Sequence, residues 1–161
     1  MSITYSAGFG SGGFSYVALL TAIVIIGILL GAAGKYWSNI VQRDKEEELL
    51  FRGEQYRLAI ERYYYAIPGR AQYPASIDDL LKDGRTPSGK RYLRKKYKDP
   101  ITGEDFVEIR DTNSRRILGV ASASKKTPLK QANFPEAYED FAGKTSYSDW
   151  KFIFTVQGVQ R

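Results

Sequence analysis

The sequence has 161 residues, with 24 Lys and Arg against 18 Asp and Glu, and it contains neither Cys nor His. That length holds one small domain, and the missing residue types exclude disulfides, thiol nucleophiles, Cys-ligated metals and Ser-His-Asp triads. The composition therefore weighs against an enzyme, and any bound metal would need oxygen ligands, as calcium and magnesium do.

The chain begins with an uncharged segment, residues 1–13, followed by an uncharged apolar segment, residues 14–34, which reads FSYVALLTAIVIIGILLGAAG. As an α-helix the apolar segment spans roughly 30 Å, the hydrocarbon thickness of a bilayer. A buried core helix is the alternative, but a chain this small has too little protein to surround one. All Lys, Arg, Asp and Glu residues follow Gly34. The sequence therefore predicts one membrane helix that carries one soluble, basic domain.

Helical patterning continues through residues 35–67. Apolar or small residues recur at spacings of three and four, which is typical of one face of an amphipathic helix: Leu49, Gly53, Tyr56, Ile60, Tyr63 and Ile67. Arg57 is spaced to pair with Glu54 and Glu61. Pro68-Gly69 ends the pattern. We expect a single helix from residue 14 to residue 67.

The rest of the chain, residues 68–161, predicts a small mixed domain. Ser76 and Asp79 form a capping pattern before a short helix at 77–83, which Gly84 stops. Residues 106–110 and 116–124 are typical of a hairpin, and 150–157 of a third strand. The connection of about 25 residues before this strand is unusually long. We expect an α+β fold, with the long helix packed on a small antiparallel sheet.

Several segments resemble known proteins. Gly13-Phe14-Ser15-Tyr16-Val17, followed by the uncharged helix, resembles the class III signal of type IV pilin-like proteins. YPASIDDLL, KYKDPITGEDF, ILGVASAS and YSDWKFIF resemble segments of type II secretion major pseudopilins. The resemblance implies a pilin-like fold in four parts: a leader at 1–13, a transmembrane and polymerisation helix at 14–34, its amphipathic continuation at 35–67, and a periplasmic globular head at 68–161.

In that family a prepilin peptidase cuts after the glycine and the new N-terminus is methylated, which here implicates Gly13 and Phe14. The implied location is the inner membrane, with a single span and the head in the periplasm, before assembly into a filament. The implied partners are further copies of the chain, the peptidase, other pseudopilins and an inner-membrane assembly platform, with no nucleic acid. Ala18 stands where the family usually has a Glu, a replacement that resembles minor subunits rather than major ones.

Assembly would use the apolar helix as the polymer core, since lipid and a bundle of identical helices are both apolar. Phe14, Val17 and Ala18 lie at its start, and Gly27 and Gly31 would let another helix approach closely. Ordinary membrane-helix composition is the alternative for the two glycines. After the helix, charged side chains suit pairing between staggered copies, or form only a solvated face: Arg43, Lys45 and Glu47.

No cofactor is predicted, although the resemblance leaves calcium open. In major pseudopilins a loop near the C-terminus binds calcium, and Asp140, Ser148 and Asp149 lie in the corresponding loop. The acidic pairs Asp78-Asp79 and Glu104-Asp105 are more typical of caps and turns. A basic cluster is compatible with phosphates, nucleic acid or anionic lipid, or with a solvated loop: Arg85, Lys90, Arg91, Arg94, Lys95, Lys96 and Lys98.

The expected function is a structural subunit of a type II secretion pseudopilus, which helps to move proteins across the outer membrane. One alternative is a type IV surface pilin that acts as an adhesin or binds DNA. The other is a periplasmic binding domain held by an uncut signal anchor.

Overall fold

The computed structural model describes residues 12–87 and 89–156. It contains a helix α1 at Gly12–Tyr64, a short helix α2 at Asp78–Leu81, and strands β1 at Val107–Arg110, β2 at Ile117–Ala121 and β3 at Lys151–Ile153. The chain divides into two compact units within α1, between Val41 and Gln42. The predicted α+β layout is confirmed in this form: a long N-terminal helix, apolar in its first part, and a small antiparallel sheet.

The sheet has three strands in the order β1-β2-β3, and both neighbouring pairs are antiparallel. Val120 of β2 lies opposite Glu108 on one side and Phe152 on the other. The predicted hairpin and third strand are confirmed, but the strands are shorter than expected. After Ala121, the Ser122 hydroxyl donates to Asp99 and accepts from the Ser124 amide, at 2.7 and 3.0 Å. The local bond from the Ser124 amide and the distant bond to Asp99 take the place of ladder bonds after Ala121.

The second part of α1 forms one wall of the core. Leu49, Tyr56, Ile60 and Tyr63 are buried, as their spacing predicts. Gly53 lies directly under the ring of Phe152, where an added Cβ would collide with that ring. Arg57 pairs with Glu54 at 2.7 Å and with Glu61 at 3.4 Å, so both predicted ion pairs are confirmed.

The helix ends at Tyr64 rather than at Ile67. The Ala66 amide donates to the Tyr63 carbonyl, so the helix tightens into a turn before Pro68. Gly69 then adopts a φ of +72°, a conformation that side chains disfavour. The Pro-Gly pair therefore stops the helix as predicted, a few residues earlier than its position suggests.

Helix α2 has the reciprocal cap that its sequence predicts. The Ser76 hydroxyl accepts from the Asp78 amide at 3.0 Å, and the Asp79 carboxylate accepts from the Ser76 amide at 3.1 Å. The helix ends at Leu81 and not at residue 83. Asp83 is fully buried and accepts hydrogen bonds from the Arg85 side chain, which turns the chain away from the helix axis.

The long connection between β2 and β3 belongs to the core. It contains two 3-10 helices, Glu136–Phe141 and Tyr147–Asp149, which the sequence analysis treated as loop. Tyr138, Phe141 and Tyr147 are buried, and the Phe141 ring stacks on Trp150 with centroids 5.5 Å apart. The connection is therefore long because its own side chains pack into the core.

Candidate functional site

The apolar first part of α1 has its side chains exposed. Every residue from Tyr16 to Val41 is exposed, including Ile28 at 67% and Leu30 at 68%. By length and composition α1 is able to cross a membrane, and its most apolar stretch is not buried inside the protein. A signal sequence near an N-terminus also meets this criterion of length and composition. This surface is the largest exposed apolar feature of the described residues, and water is a poor environment for it.

The predicted assembly residues in this stretch form an open surface. Val17 and Ala18 are exposed, and an added Cβ on Gly27 or Gly31 would meet nothing within 4 Å. The Thr21 hydroxyl donates to the Val17 carbonyl at 2.9 Å, which satisfies this polar group inside the helix. Gly13 and Phe14 have helical backbone, while the Phe14 side chain and residues 1–11 of the leader lie outside the described part of the chain.

The charged stretch that follows divides into two faces. Arg43, Lys45 and Glu47 are exposed, as a docking or solvated surface requires. Glu46 instead is buried, with 3% of its surface exposed. It was missed by sequence reasoning because it stands in a run of charges. The sequence does indicate the burial of Glu46, because residue 46 lies three positions before Leu49 and so on the same buried face of the helix.

Glu46 fastens the long connection to α1. Its carboxylate accepts from the Leu129 amide at 2.5 Å, from the Lys130 amide at 3.1 Å and from the Tyr147 hydroxyl at 2.6 Å. Gln42 adds donors to the Tyr147 hydroxyl at 2.8 Å and to the Thr127 carbonyl at 3.2 Å. Burial is the main cause that raises the pKa of Tyr147 well above its usual range, and the hydrogen bond to Glu46 is the second cause. The hydroxyl therefore stays protonated and donates.

A groove of about 750 Å³ opens beside this contact. Arg43, Glu47 and Leu50 line it from the helix, and Leu129 and Lys130 from the connection. Its wall mixes charged and apolar groups.

The basic cluster is not one surface. Arg85 turns inward: its guanidinium carbon lies 3.5 Å from the centre of the Tyr63 ring, and it pairs with buried Asp83 at 2.9 Å. The hydrogen bond from Arg85 lowers the pKa of Asp83. The other members are exposed, and Lys96 pairs with Asp105 at 2.7 Å. Arg85 therefore has a structural role, and the members of this cluster that present their charge to solvent are those within residues 90–98.

The residues proposed for calcium are not gathered by side-chain contacts. Asp140 and Asp149 are exposed, and the Ser148 hydroxyl lies 2.7 Å from that of Ser146. Among residues 12–87 and 89–156, no three acidic side chains converge on a position that suits a metal ion. Asp79 acts as a cap and Asp105 as an ion-pair partner. Calcium binding stays a prediction.

In comparisons with known proteins, no family model, curated protein or solved structure matches the chain. Two structural features bear on function: the exposed apolar stretch from Tyr16 to Val41 and the exposed charges on the second unit.

Proposed function

We propose that this protein is a pilin-like structural subunit of a type II secretion pseudopilus. In this proposal, residues 14–34 anchor the chain in the inner membrane with the head in the periplasm. Cleavage between Gly13 and Phe14 then releases the helix for polymerisation. The observation that carries the proposal is the exposed, apolar first part of α1, followed along the chain by a head with its own core.

The exposed apolar stretch suits both states of such a subunit. Isolated in water, a continuous apolar surface of this size would drive aggregation. Lipid tails and a bundle of identical helices both remove it from water, so that a subunit passes from one to the other without exposing it. Gly27 and Gly31 leave open positions one turn apart, where a second helix can approach closely.

The exposed charges of α1 that follow its apolar stretch are compatible with contacts between copies. Arg43, Lys45 and Glu47 are exposed and form no ion pair with the residues that the structure describes. On parallel, staggered helices, cations of one copy and carboxylates of the next are free to pair. A contact of this kind joins two different surfaces, and such contacts produce open helical fibres when the rotation does not close.

The intact mass and N-terminal sequence of the protein extracted from native membranes test the proposal. We expect a chain that starts at Phe14 and carries one added methyl group. A chain that still starts at Met1 or Ser2 would contradict processing, and would favour an uncut, signal-anchored domain.

A glycine variant tests the processing step by itself. Gly13→Leu should leave the full-length protein in the membrane, because the proposed peptidase accepts a glycine at this position. Gly12→Ala is the matched control and should be cut as the original chain is. Normal processing of Gly13→Leu, read from the mass of the membrane-extracted protein, would count against a pilin-like signal.

A further inference from the structure

One side of the second unit carries a dense set of unpaired cations, which we call the basic strip: Lys90, Arg91, Arg94, Lys95 and Lys98. All five are exposed, and none forms an ion pair with the described residues. Residues 85–98 contain no Asp or Glu. Asp105 lies opposite Lys98 and pairs with Lys96, so carboxylates border the strip at this one end. The remaining cations exceed these carboxylates, and this surface therefore attracts an anionic partner.

The backbone beneath the basic strip is held in place. The amides of Tyr92 and Leu93 both donate to the Leu80 carbonyl at 2.9 Å, and Leu93 is buried. At the other end, the Tyr97 amide donates to the Tyr56 hydroxyl at 3.0 Å, and this hydroxyl donates to the Tyr97 carbonyl at 2.9 Å. The cations therefore project from a fixed support, and binding does not have to order the chain first.

A second surface of the same unit is acidic; we call it the acidic turn. It lies on the 3-10 helix Glu136–Phe141, where Glu136, Glu139 and Asp140 are exposed. Residues 134–143 contain no Lys or Arg. Phe141 belongs to the same 3-10 helix, and its stacking on Trp150 holds this surface in place.

The two surfaces meet α1 from opposite sides. Arg52 of α1 donates to the Lys98 carbonyl at 2.6 Å, while Tyr138 of the acidic turn donates to Glu54. At about 100° per residue, positions 52 and 54 point roughly 200° apart around the helix. The basic strip and the acidic turn of one copy are therefore attached on opposite sides of the helix.

We infer that the basic strip docks on the acidic turn of a second copy of this chain. The inference rests on the proposed self-assembly and names the contact between neighbouring heads. Opposite charges on opposite sides let copies add head to tail, each using one surface and leaving the other open. The long-range attraction orients the heads before the helices pack.

The absence of cysteine from the chain allows a direct test with introduced pairs. Arg94→Cys with Glu139→Cys, in the full chain in native membranes, should give a ladder of disulfide-linked multimers after mild oxidation. Either single variant should give dimers at most, since a ladder needs both surfaces on each copy. The matched control is Arg94→Cys with Asn113→Cys, an exposed residue of the β1–β2 turn, which should give no ladder.

Charge reversal tests whether attraction holds the contact. In the Arg94→Cys and Glu139→Cys background, Arg91→Glu with Lys95→Glu should reduce the ladder about tenfold. Adding Glu136→Lys with Asp140→Lys restores complementary charges and should recover it to within about threefold. A ladder that does not respond to either change would overturn a charge-based contact.

A helix cross-link separates the failure of this inference from the failure of the proposed function. Ile25 is 51% exposed on the apolar stretch, and Ile25→Cys reports contact between helices. Cross-linking at Ile25 without the head ladder would overturn the inference and leave self-assembly standing. No cross-link at either place would overturn both. Binding of a double-stranded DNA fragment that is lost on reversal of the strip, with no ladder, would assign the strip to a polyanion instead.

Discussion

Two adjacent glutamates have opposite environments. Glu46 is buried and accepts three hydrogen bonds from the connection between β2 and β3, whereas Glu47 is exposed. One step of about 100° along the helix separates a group that holds the fold from a group that is free to meet a partner.

Replacement of Glu46 should therefore destabilise the head. Glu46→Ala leaves the Leu129 and Lys130 amides and the Tyr147 hydroxyl without their acceptor. We expect the free energy of unfolding to fall by about 3 kcal/mol. Urea unfolding of the full chain in detergent micelles measures it. Glu47→Ala is the matched control and should change this free energy by less than about 0.5 kcal/mol; equal effects would contradict the role of Glu46.

Gly53 should be more sensitive than an ordinary helix glycine. Alanine is the better helix former, but at this position its Cβ would run into the Phe152 ring. We expect Gly53→Ala to lower the free energy of unfolding by about 2 kcal/mol. Gly34→Ala is the comparison, since an added Cβ there meets nothing within 4 Å. Stabilisation by Gly53→Ala in urea unfolding would show that the ring moves aside.

Tyr56 should make the head sensitive to alkali. Burial raises its pKa to about 12, against about 10 in the unfolded chain. Between these values the unfolded state loses the proton and the folded state keeps it. The stabilisation is therefore complete below about pH 10 and is lost as the pH rises towards 12.

The loss should be about 2 kcal/mol of unfolding free energy across that interval. Urea unfolding at a series of alkaline pH values measures it. Tyr56→Phe should make the fall in this part of the pH profile smaller, because it removes one ionisable group with a raised pKa while Tyr147 keeps its own. Tyr65→Phe changes an exposed tyrosine and should leave the profile as it is. An unchanged profile in Tyr56→Phe would contradict this assignment.

At the scale of elements, most of the fold could be predicted from periodicity and turn chemistry. The spacing of Leu49, Gly53, Tyr56 and Ile60 identified the buried helix face, and the Ser76 and Asp79 pattern identified the cap of α2. Strand ends could not be predicted in the same way. β2 ends at Ala121 because Ser122 bonds to Asp99, a residue far away in sequence.

The candidate site shows the same limit. The apolar segment and its exposed charges follow from composition, since no tertiary partner is needed to recognise them. The burial of Glu46 depends on amides of residues 129 and 130, and the inward turn of Arg85 depends on Asp83 and Tyr63. These contacts join distant parts of the chain, which local patterns do not report.

Strand β3 is short, but the residues around it fill the core. Trp150 and Phe152 are fully buried, while Lys151 between them is exposed. Trp150→Ala should lower the free energy of unfolding by about 4 kcal/mol, because it empties the space against Phe141 and Tyr147. Lys151→Ala should change it by less than about 0.5 kcal/mol. Urea unfolding followed by far-UV circular dichroism measures this free energy in both variants. Similar losses in the two would contradict this packing.

At the scale of the whole molecule, the two units differ in the surface that they present to solvent. The first part of α1 is apolar and exposed, whereas residues from Gln42 onward surround their own core. A chain that begins at Gln42 should therefore stay in solution without detergent and should keep the protected amides of the sheet. Gel filtration and hydrogen exchange measure this. Loss of protection in the shortened chain would show that the head depends on the apolar stretch.

The contact between Gly53 and Phe152 also limits how early the head can complete its fold during synthesis. Roughly 100 residues separate the two, which corresponds to about 5 to 20 seconds of synthesis. Until Trp150 and Phe152 have left the ribosome, the head lacks the side chains that close it. In our proposal the head follows an anchor helix across a membrane. The delay then keeps the head unfolded, and so able to pass through a translocation channel, until β3 has been synthesised.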